Sequence, residues 1–232
     1  MPTFGSLFAG IGGLDLGLER AGWACKWQVE NDEYATRVLE RHWPDVKRYK
    51  DIREVNELER VDLICGGFPC QDISYAGKGE GIDGARSGLW SEFRRIICLV
   101  RPEYVLVENV PALLTRGLGR VLGELAESGY DAEWDCIPAA TVGAPHKRDR
   151  VFIIAYTDGI GRGNAYGRRA AVSVFSGPLP SVVWPWTSKP PLLRGNDGIP
   201  RRVDRLRCLG NAVVPQVAEY IGRQIIQATK EV

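Results

Sequence analysis

Short apolar runs alternate with stretches of helical periodicity through the first 157 residues of the chain. Apolar runs of about four to eight residues between turn residues are typical of buried strands, and a 3.6-residue period is typical of helices that pack on them. Alternation of the two indicates an α/β protein whose sheet is covered by helices on both faces. The pattern predicts strands at 3–8, 23–29, 61–65, 104–107 and 151–156, and helices at 12–21, 33–41, 88–100 and 119–128.

The periodicity ends at residue 158 and is absent to about residue 198. Glycine, proline, serine and arginine dominate this segment, yet it contains too many aromatic side chains for a simple linker, so it predicts a small irregular subdomain or a long loop. Its aromatic residues include Tyr166, Phe175, Trp184 and Trp186. A terminal helix is predicted at 215–229, with Val217, Ile221 and Ile225 on one apolar stripe.

Charge is unevenly distributed along the 232 residues. The formal net charge is +1, but residues 1–157 hold 19 basic and 24 acidic residues, whereas residues 158–208 hold nine basic and three acidic residues. A basic segment attached to a mildly acidic body favours a segment that contacts phosphates. A solvated, arginine-rich loop is the alternative interpretation.

Six cysteines without a CxxC pair, together with only two histidines, indicate reduced thiols in a cytoplasmic protein and no zinc site. The apolar surroundings of Cys25, Cys65, Cys98 and Cys136 predict buried structural cysteines. The N-terminus lacks the charged and apolar regions of an export signal. Since no apolar run approaches the roughly 20 residues that cross a bilayer, a membrane function is not expected.

A glycine-rich loop at residues 8–13 follows the first predicted strand. Glycines let backbone N–H groups approach a ligand at the positive end of a helix. Glu30 ends the second strand about 20 residues later, where an acid binds ribose hydroxyls in dinucleotide-binding folds. Asp51 and Ile52 can supply a further acceptor and an apolar wall for an adenine ring. A structural turn, a helix cap and a surface charge are the ordinary alternatives.

Cys70 and Glu108 follow two different predicted strands. Cys70 lies between Pro69 and Gln71 in a loop, where its sulfur can be exposed and reactive. A thiol and a carboxyl group at the carboxyl ends of two strands can attack and protonate one substrate ring. Taken singly, a buried cysteine and a solvent-exposed carboxylate remain the ordinary interpretations.

Two further segments contain candidate polar residues. Arg148 and Arg150 precede the last predicted strand, and an extended backbone would place both guanidinium groups on one face, suited to a phosphate or a carbonyl-rich base. Residues 210–215 form a polar turn before the terminal helix. A basic strand entry and a simple helix cap are the alternatives.

Together, and in this order, the segments resemble the cytosine carbon-5 DNA methyltransferases. The resemblance covers nearly everything outside residues 158–195, and seven motifs in register make it specific. The motifs are Phe8-Ala9-Gly10-Ile11-Gly12-Gly13, Glu30-Asn31, Asp51-Ile52, Pro69-Cys70-Gln71 with Ser74, Glu108-Asn109-Val110, Arg148-x-Arg150 and Gly210-Asn211-Ala212-Val213-Val214-Pro215.

The resemblance implies a doubly wound, Rossmann-like methyltransferase sheet with a small, irregular target-recognition region. It divides the chain into a cofactor-binding and catalytic domain (1–157), the short recognition region (158–198) and a C-terminal segment (199–232) whose helix returns to the catalytic domain. The implied methyl donor is S-adenosyl-L-methionine, the product is S-adenosyl-L-homocysteine, and no metal is expected. The implied cofactor residues are Phe8, Gly10, Gly12, Glu30, Asn31, Asp51, Ile52, Pro69, Leu89 and Asn211.

The resemblance also assigns catalytic roles. Cys70 adds to carbon 6 of cytosine, and Glu108 donates a hydrogen bond or proton to ring nitrogen 3, which requires a raised pKa. Arg150, with Arg148, neutralises charge at the carbonyl oxygen of the base and the neighbouring phosphate. The residues expected to contact substrate are Gln71, Ser74, Arg168 and Arg169.

Double-stranded DNA is the implied partner, and the target nucleotide must leave the base stack. The protein is expected to act as a monomer in the cytoplasm of a bacterial or phage-infected cell, associated with the nucleoid. Two features depart from the family pattern: the recognition region is short, and His146 stands where the family usually has Gln.

Three other functions are considered. An RNA cytosine methyltransferase, acting for example on tRNA, would use the same site and would recognise its substrate by shape. A non-catalytic or weakly active nucleic-acid-binding protein would keep the fold alone. A nicotinamide-dependent dehydrogenase fits poorly, because Asp15 stands where the glycine fingerprint requires a third glycine.

Overall fold

A computed structural model describes residues 1–69, 88–157, 174–177 and 202–230 of the chain. The strands are β1 (Thr3–Leu7), β2 (Ala24–Val29), β3 (Lys47–Tyr49), β4 (Leu63–Gly66), β5 (Tyr104–Asn109), β6 (Tyr130–Pro138) and β7 (Asp149–Thr157). The helices are α1 (Gly13–Ala21), α2 (Glu33–His42), α3 (Leu89–Val100), α4 (Leu113–Arg116), α5 (Leu118–Glu127), α6 (Arg202–Asn211) and α7 (Pro215–Lys230). All ten elements predicted from the sequence pattern are confirmed, with ends that agree within two residues.

The seven strands form one mixed sheet in the order β3-β2-β1-β4-β5-β7-β6. β1 to β5 pair in parallel, whereas β7 runs antiparallel to both β5 and β6. The predicted α/β architecture is thereby confirmed, although β3 and β6 were not predicted. The strand order changes direction between β1 and β4, which is where ligands bind in doubly wound sheets.

Helices cover both faces of the sheet, as the buried strands predicted. Alternate residues of β5 point to opposite sides: Val105 and Val107 belong to the apolar core under α3 and α5. Tyr104 and Leu106 belong to the core under α1 and α7. The second core also contains the predicted stripe of α7, in which Val217, Ile221 and Ile225 are buried.

α7 packs closely on α1 and thereby joins the two ends of the chain. A side chain on Gly17 would overlap the carbonyl oxygen of Pro215 and would lie 2.5 Å from Cβ of Ala218. The indole N–H of Trp23, which follows α1, donates to the carbonyl of Gly222 in α7 at 3.1 Å. The return of the C-terminal helix to the sheet therefore depends on small residues where the two helices cross.

The segment 158–198 lies outside the described residues except for 174–177, as does the internal stretch 70–87. Within the described segments, no helix is both long enough and apolar enough to span a bilayer.

Candidate active site and cofactor cavity

A cavity of about 400 Å³ lies at the carboxyl ends of β1, β2, β4 and β5, beside the segment that joins α6 to α7. Its size and its location at the switch in strand order suit a small-molecule ligand. It brings together many residues that lie far apart in the sequence. Eight of the residues assigned from the sequence line it: Phe8, Gly10, Glu30, Asn31, Pro69, Glu108, Arg150 and Asn211.

The glycine-rich loop turns sharply after β1. Phe8 and Gly10 have φ values of 53° and 57°, both in the left-handed region. A Cβ atom on Gly10 would have no atom of the described residues within 4 Å, so among them the backbone of the loop borders open space at the cavity. Gly12 serves another purpose: its φ is 81°, and a side chain there would overlap the indole ring of Trp43.

Glu30 is fixed at the end of β2 by backbone donors. Its Oε2 accepts from the N–H of Gly10 and its Oε1 from the N–H of Asp32, both at 2.7 Å. Burial raises its pKa. Each carboxylate oxygen can accept more than one hydrogen bond, so these contacts leave capacity for ligand hydroxyls. The expected ribose acceptor is thus oriented toward the cavity before a ligand binds.

Four predicted cofactor residues do not line the cavity in the described part of the chain: Gly12, Asp51, Ile52 and Leu89. Asp51 caps the short 3-10 helix Ile52–Glu54 and pairs with Arg53 at 2.6 Å. The hydrogen bond from Arg53 lowers the pKa of Asp51 to about 2. Ile52 is buried in the core, and Leu89 packs against that core at the start of α3.

Glu108 is the penultimate residue of β5 and is almost fully buried, at 8% exposure. Its Oε1 pairs with Nε of Arg150 at 2.9 Å. A Cβ atom on Gly67 would lie 2.6 Å from Oε2, so the glycine leaves room for the carboxyl group. Burial raises the pKa of Glu108 to about 7, although the charges of Arg150 and Arg148 act in the opposite direction. The raised pKa agrees with the direction expected from the sequence.

Arg148 differs from the sequence expectation. The extended backbone that would place Arg148 and Arg150 on one face is not present at Arg148, whose φ is 43°. Its Nη2 donates to the carbonyl oxygens of Gly210 and Ala212, both at 2.6 Å. These two acceptors flank Asn211 at the C-terminal end of α6, so the turn predicted for residues 210–215 begins only after Asn211, whereas Arg150 pairs with Glu108.

Five of the predicted site residues lie outside the described residues: Cys70, Gln71, Ser74, Arg168 and Arg169. Pro69, which precedes Cys70 in the sequence, lines the cavity. Among the other cysteines, Cys65 is buried as predicted, and burial raises the pKa of both Cys25 and Cys65. The expectation that Cys98 is buried is wrong, because it is exposed on the outer side of α3.

Sequence reasoning did not assign four polar residues that line the cavity: Asp32, Asn109, Arg207 and Cys208. Asn109 is buried and donates from Nδ2 to the carbonyl of Phe68 at 3.4 Å. Its place beside Glu108 in a strand-end motif is the signal that could have identified it. Arg207 of α6 pairs with Asp32, which caps α2, so α6 borders the cavity on the side of Glu30.

In the segments that the structure describes, no group of three or more His, Cys, Asp or Glu is arranged to hold a metal ion.

Comparison with known proteins identifies relatives of this chain. The chain is 41% identical over 158 residues to the type II methyltransferase M2.BsuMI of Bacillus subtilis, covering 65% of this chain and 41% of that protein. It is 33% identical over 165 residues to the type II methyltransferase M.HgiCII of Herpetosiphon aurantiacus, covering 68% and 38%. The crystal structure of an E. coli prophage protein, described as a DNA modification methyltransferase, superposes with a TM-score of 0.58 at 26% identity, covering 68% and 47%.

The chain thus spans less than half the length of each of these three proteins. The model of the C-5 cytosine-specific DNA methylase family matches residues 2–166, well over half of the chain. This chain belongs to that family, the C-5 cytosine-specific DNA methylases.

Proposed function

We propose that this chain transfers a methyl group from S-adenosyl-L-methionine to carbon 5 of cytosine in duplex DNA. One observation carries the proposal: a single cavity joins a nucleotide-type subsite at Gly10, Glu30 and Asn211 to the buried Glu108 and its partner Arg150. A cofactor and a substrate base can therefore meet within one cavity.

The residues of the cavity suit the cofactor. When bound, S-adenosyl-L-methionine supplies a methyl group activated on a sulfonium. The open space beyond Gly10 admits the cofactor against the backbone of the loop, and the carboxylate of Glu30 accepts hydrogen bonds from its ribose. Phe8 and Pro69 provide apolar walls, and Asn211 provides an amide for the amino-acid end. Whether Asp51, Ile52 and Leu89 also contribute to the adenine end remains a prediction from the resemblance.

Cys70 is the proposed nucleophile. Carbon 5 of cytosine is a poor nucleophile within an aromatic ring. When the Cys70 thiolate adds to carbon 6, a sulfur–carbon bond forms and the ring electrons become available at carbon 5, which then takes the methyl group. Loss of the proton from carbon 5 restores the double bond as the sulfur leaves. The proposal for Cys70 rests on the family motif and on its position directly after Pro69.

Glu108 and Arg150 are proposed to stabilise the charge that develops as the sulfur adds. With a pKa of about 7, Glu108 is protonated in a substantial fraction of molecules at neutral pH and can donate to ring nitrogen 3. Arg150 orients the Glu108 carboxyl group at 2.9 Å and brings a positive charge beside the carbonyl oxygen of the base.

Duplex DNA is the proposed substrate. The target carbon is buried in the base stack, so the nucleotide must flip out, at a cost of a few kcal/mol. Contacts that offset this cost are assigned to Gln71, Ser74, Arg168 and Arg169, all outside the described residues.

The test is transfer of label from S-adenosyl-L-methionine to duplex DNA that contains all short sequence contexts. We expect wild type to label the DNA, and Cys70→Ala to lower turnover at least about 10³-fold because the nucleophile is lost. Cys98→Ala removes an exposed cysteine outside the cavity and is the matched control, with unchanged turnover.

Equal incorporation by wild type and Cys70→Ala would refute the proposed mechanism. A parallel assay on tRNA separates the RNA alternative, since a strong preference for tRNA would overturn the choice of DNA. Absence of label on both substrates, with binding of DNA retained, would favour the non-catalytic alternative.

A further inference from the structure

The guanidinium group of Arg148 bridges the two carbonyl groups on either side of Asn211. Its Nη2 lies 2.6 Å from the carbonyl oxygen of Gly210 and 2.6 Å from that of Ala212. Asn211 itself lines the cavity, and the segment that joins α6 to α7 meets α1 where Gly13 approaches Val213. Arg148 therefore contacts the backbone on either side of Asn211, at the C-terminal end of α6.

Several features of Arg148 oppose this arrangement. Its φ of 43° lies in the left-handed region, which is unfavourable for a residue with a side chain. Its Nε is buried and has no hydrogen-bond partner among the described residues. Burial and the neighbouring charge of Arg150 both lower its pKa. Strain of this kind persists only where the surrounding structure enforces it, and it is concentrated at functional sites.

We infer that Arg148 is a positioning residue that holds Asn211 in place for the amino-acid end of S-adenosyl-L-methionine. The inference rests on the proposed function, and it replaces the direct contact with the substrate base expected for Arg148. Because Arg150 follows two residues later and pairs with Glu108, residues 148–150 join the cofactor end of the cavity to the acid end.

The test measures binding of S-adenosyl-L-homocysteine by calorimetry, so that it does not depend on turnover. Arg148→Met removes both hydrogen bonds to the carbonyl oxygens of Gly210 and Ala212. Hydrogen bonds from a charged donor are among the stronger ones, so we expect the dissociation constant to rise at least about tenfold. Arg148→Lys retains the charge but lacks the planar fork and should show a smaller loss. If Arg148→Met does not fold, the dissociation constant of Arg148→Lys for S-adenosyl-L-homocysteine tests the inference instead.

Arg101→Met is the matched control. Arg101 also has a left-handed φ, of 52°, and its guanidinium group also donates to a backbone carbonyl, that of Ser128, at 2.6 Å. It lies at the end of α3 and does not line the cavity. We expect Arg101→Met to lower stability and leave the dissociation constant unchanged.

A double-mutant cycle with Asn211→Ala tests whether Arg148 affects cofactor binding through Asn211. If Arg148 acts through Asn211, Arg148→Met will weaken binding in the wild-type background but change it less than about twofold in the Asn211→Ala background. Equal losses in both backgrounds would overturn the proposed route. Wild-type affinity in Arg148→Met would overturn the inference and leave the proposed function standing. Failure of the wild-type protein to bind S-adenosyl-L-homocysteine would instead overturn the proposed function.

Discussion

The carboxyl group of Glu108 experiences two opposing influences. Burial favours its neutral form, whereas the charges of Arg150 and Arg148 favour its ionised form. Burial is the larger effect, and the resulting pKa of about 7 allows the group to donate a proton near neutral pH. A surface carboxylate paired with an arginine behaves differently, as the lowered pKa of Asp51 beside Arg53 shows.

Glu108→Gln is expected to slow the chemical step by about 10²- to 10⁴-fold, because the amide can accept from Arg150 but is a far weaker acid. Binding of S-adenosyl-L-homocysteine should change less than about threefold, since the glutamine keeps the shape of the site. Single-turnover kinetics with labelled cofactor measure the first quantity, and calorimetry measures the second.

Glu124→Gln is the control for Glu108→Gln. Glu124 also pairs with an arginine: it accepts from Arg120 and from Trp90, each at 2.7 Å, but it lies on α5 and does not line the cavity. Its replacement should reduce stability and leave the rate unchanged. A normal rate in Glu108→Gln would show that another group supplies the acid.

The sequence could predict which residues lie together where the strand order fixes the geometry. Gly10 and Glu30 follow neighbouring parallel strands, so their separation in sequence was enough to bring them together. The contacts of Arg148 could not be predicted, because its acceptors at Gly210 and Ala212 lie more than 60 residues away and are backbone atoms. Every residue has a backbone carbonyl group, so the side chains in the sequence do not indicate which carbonyl groups an arginine will contact.

The elements that the sequence pattern missed are those that bury little apolar surface. β6 lies at the edge of the sheet, and much of it is exposed. Its acidic residues Asp131, Glu133 and Asp135 alternate with Ala132, Trp134 and Cys136. This is the period-two pattern of a strand, and it could have identified β6 even though Trp134 is exposed. α6 is a polar helix whose place is set by contacts such as the pair between Arg207 and Asp32. Periodicity alone does not predict it.

Gly17→Ala tests the close crossing of α1 and α7. The added methyl group would overlap the carbonyl oxygen of Pro215 and approach Ala218, so we expect a loss of about 1–3 kcal/mol in the free energy of unfolding. Gly123→Ala is the control within α5, because a Cβ atom there has no neighbour within 4 Å in the part of the chain that the structure describes. That change should stabilise the protein by about 0.5–1 kcal/mol through helix propensity alone. Urea denaturation measures both, and stabilisation by both changes would contradict the proposed packing.

At the scale of the whole molecule, acidic groups with raised pKa values lie in the interior near the cavity. Asp15 is fully buried, accepts from Ser6 at 3.0 Å and Gln28 at 2.7 Å, and burial raises its pKa to about 6. Glu108 has a pKa of about 7. The folded protein binds these protons more tightly than the unfolded chain does, so their contribution to stability is complete below pH 4 and is lost as the pH rises through 6 and 7.

The free energy of unfolding should therefore fall between pH 5 and pH 8, by roughly 4 kcal/mol if the two groups act alone. The double variant Asp15→Asn, Glu108→Gln should remove most of this slope and be the more stable protein at pH 8. Asparagine can still accept from Gln28 and donate to Ser6, so the buried hydrogen bonds survive in the variant. Urea denaturation across this range measures the slope in both proteins. An equal slope in the two would show that other groups govern the pH dependence, and that neither carboxyl group binds its proton more tightly when the protein folds.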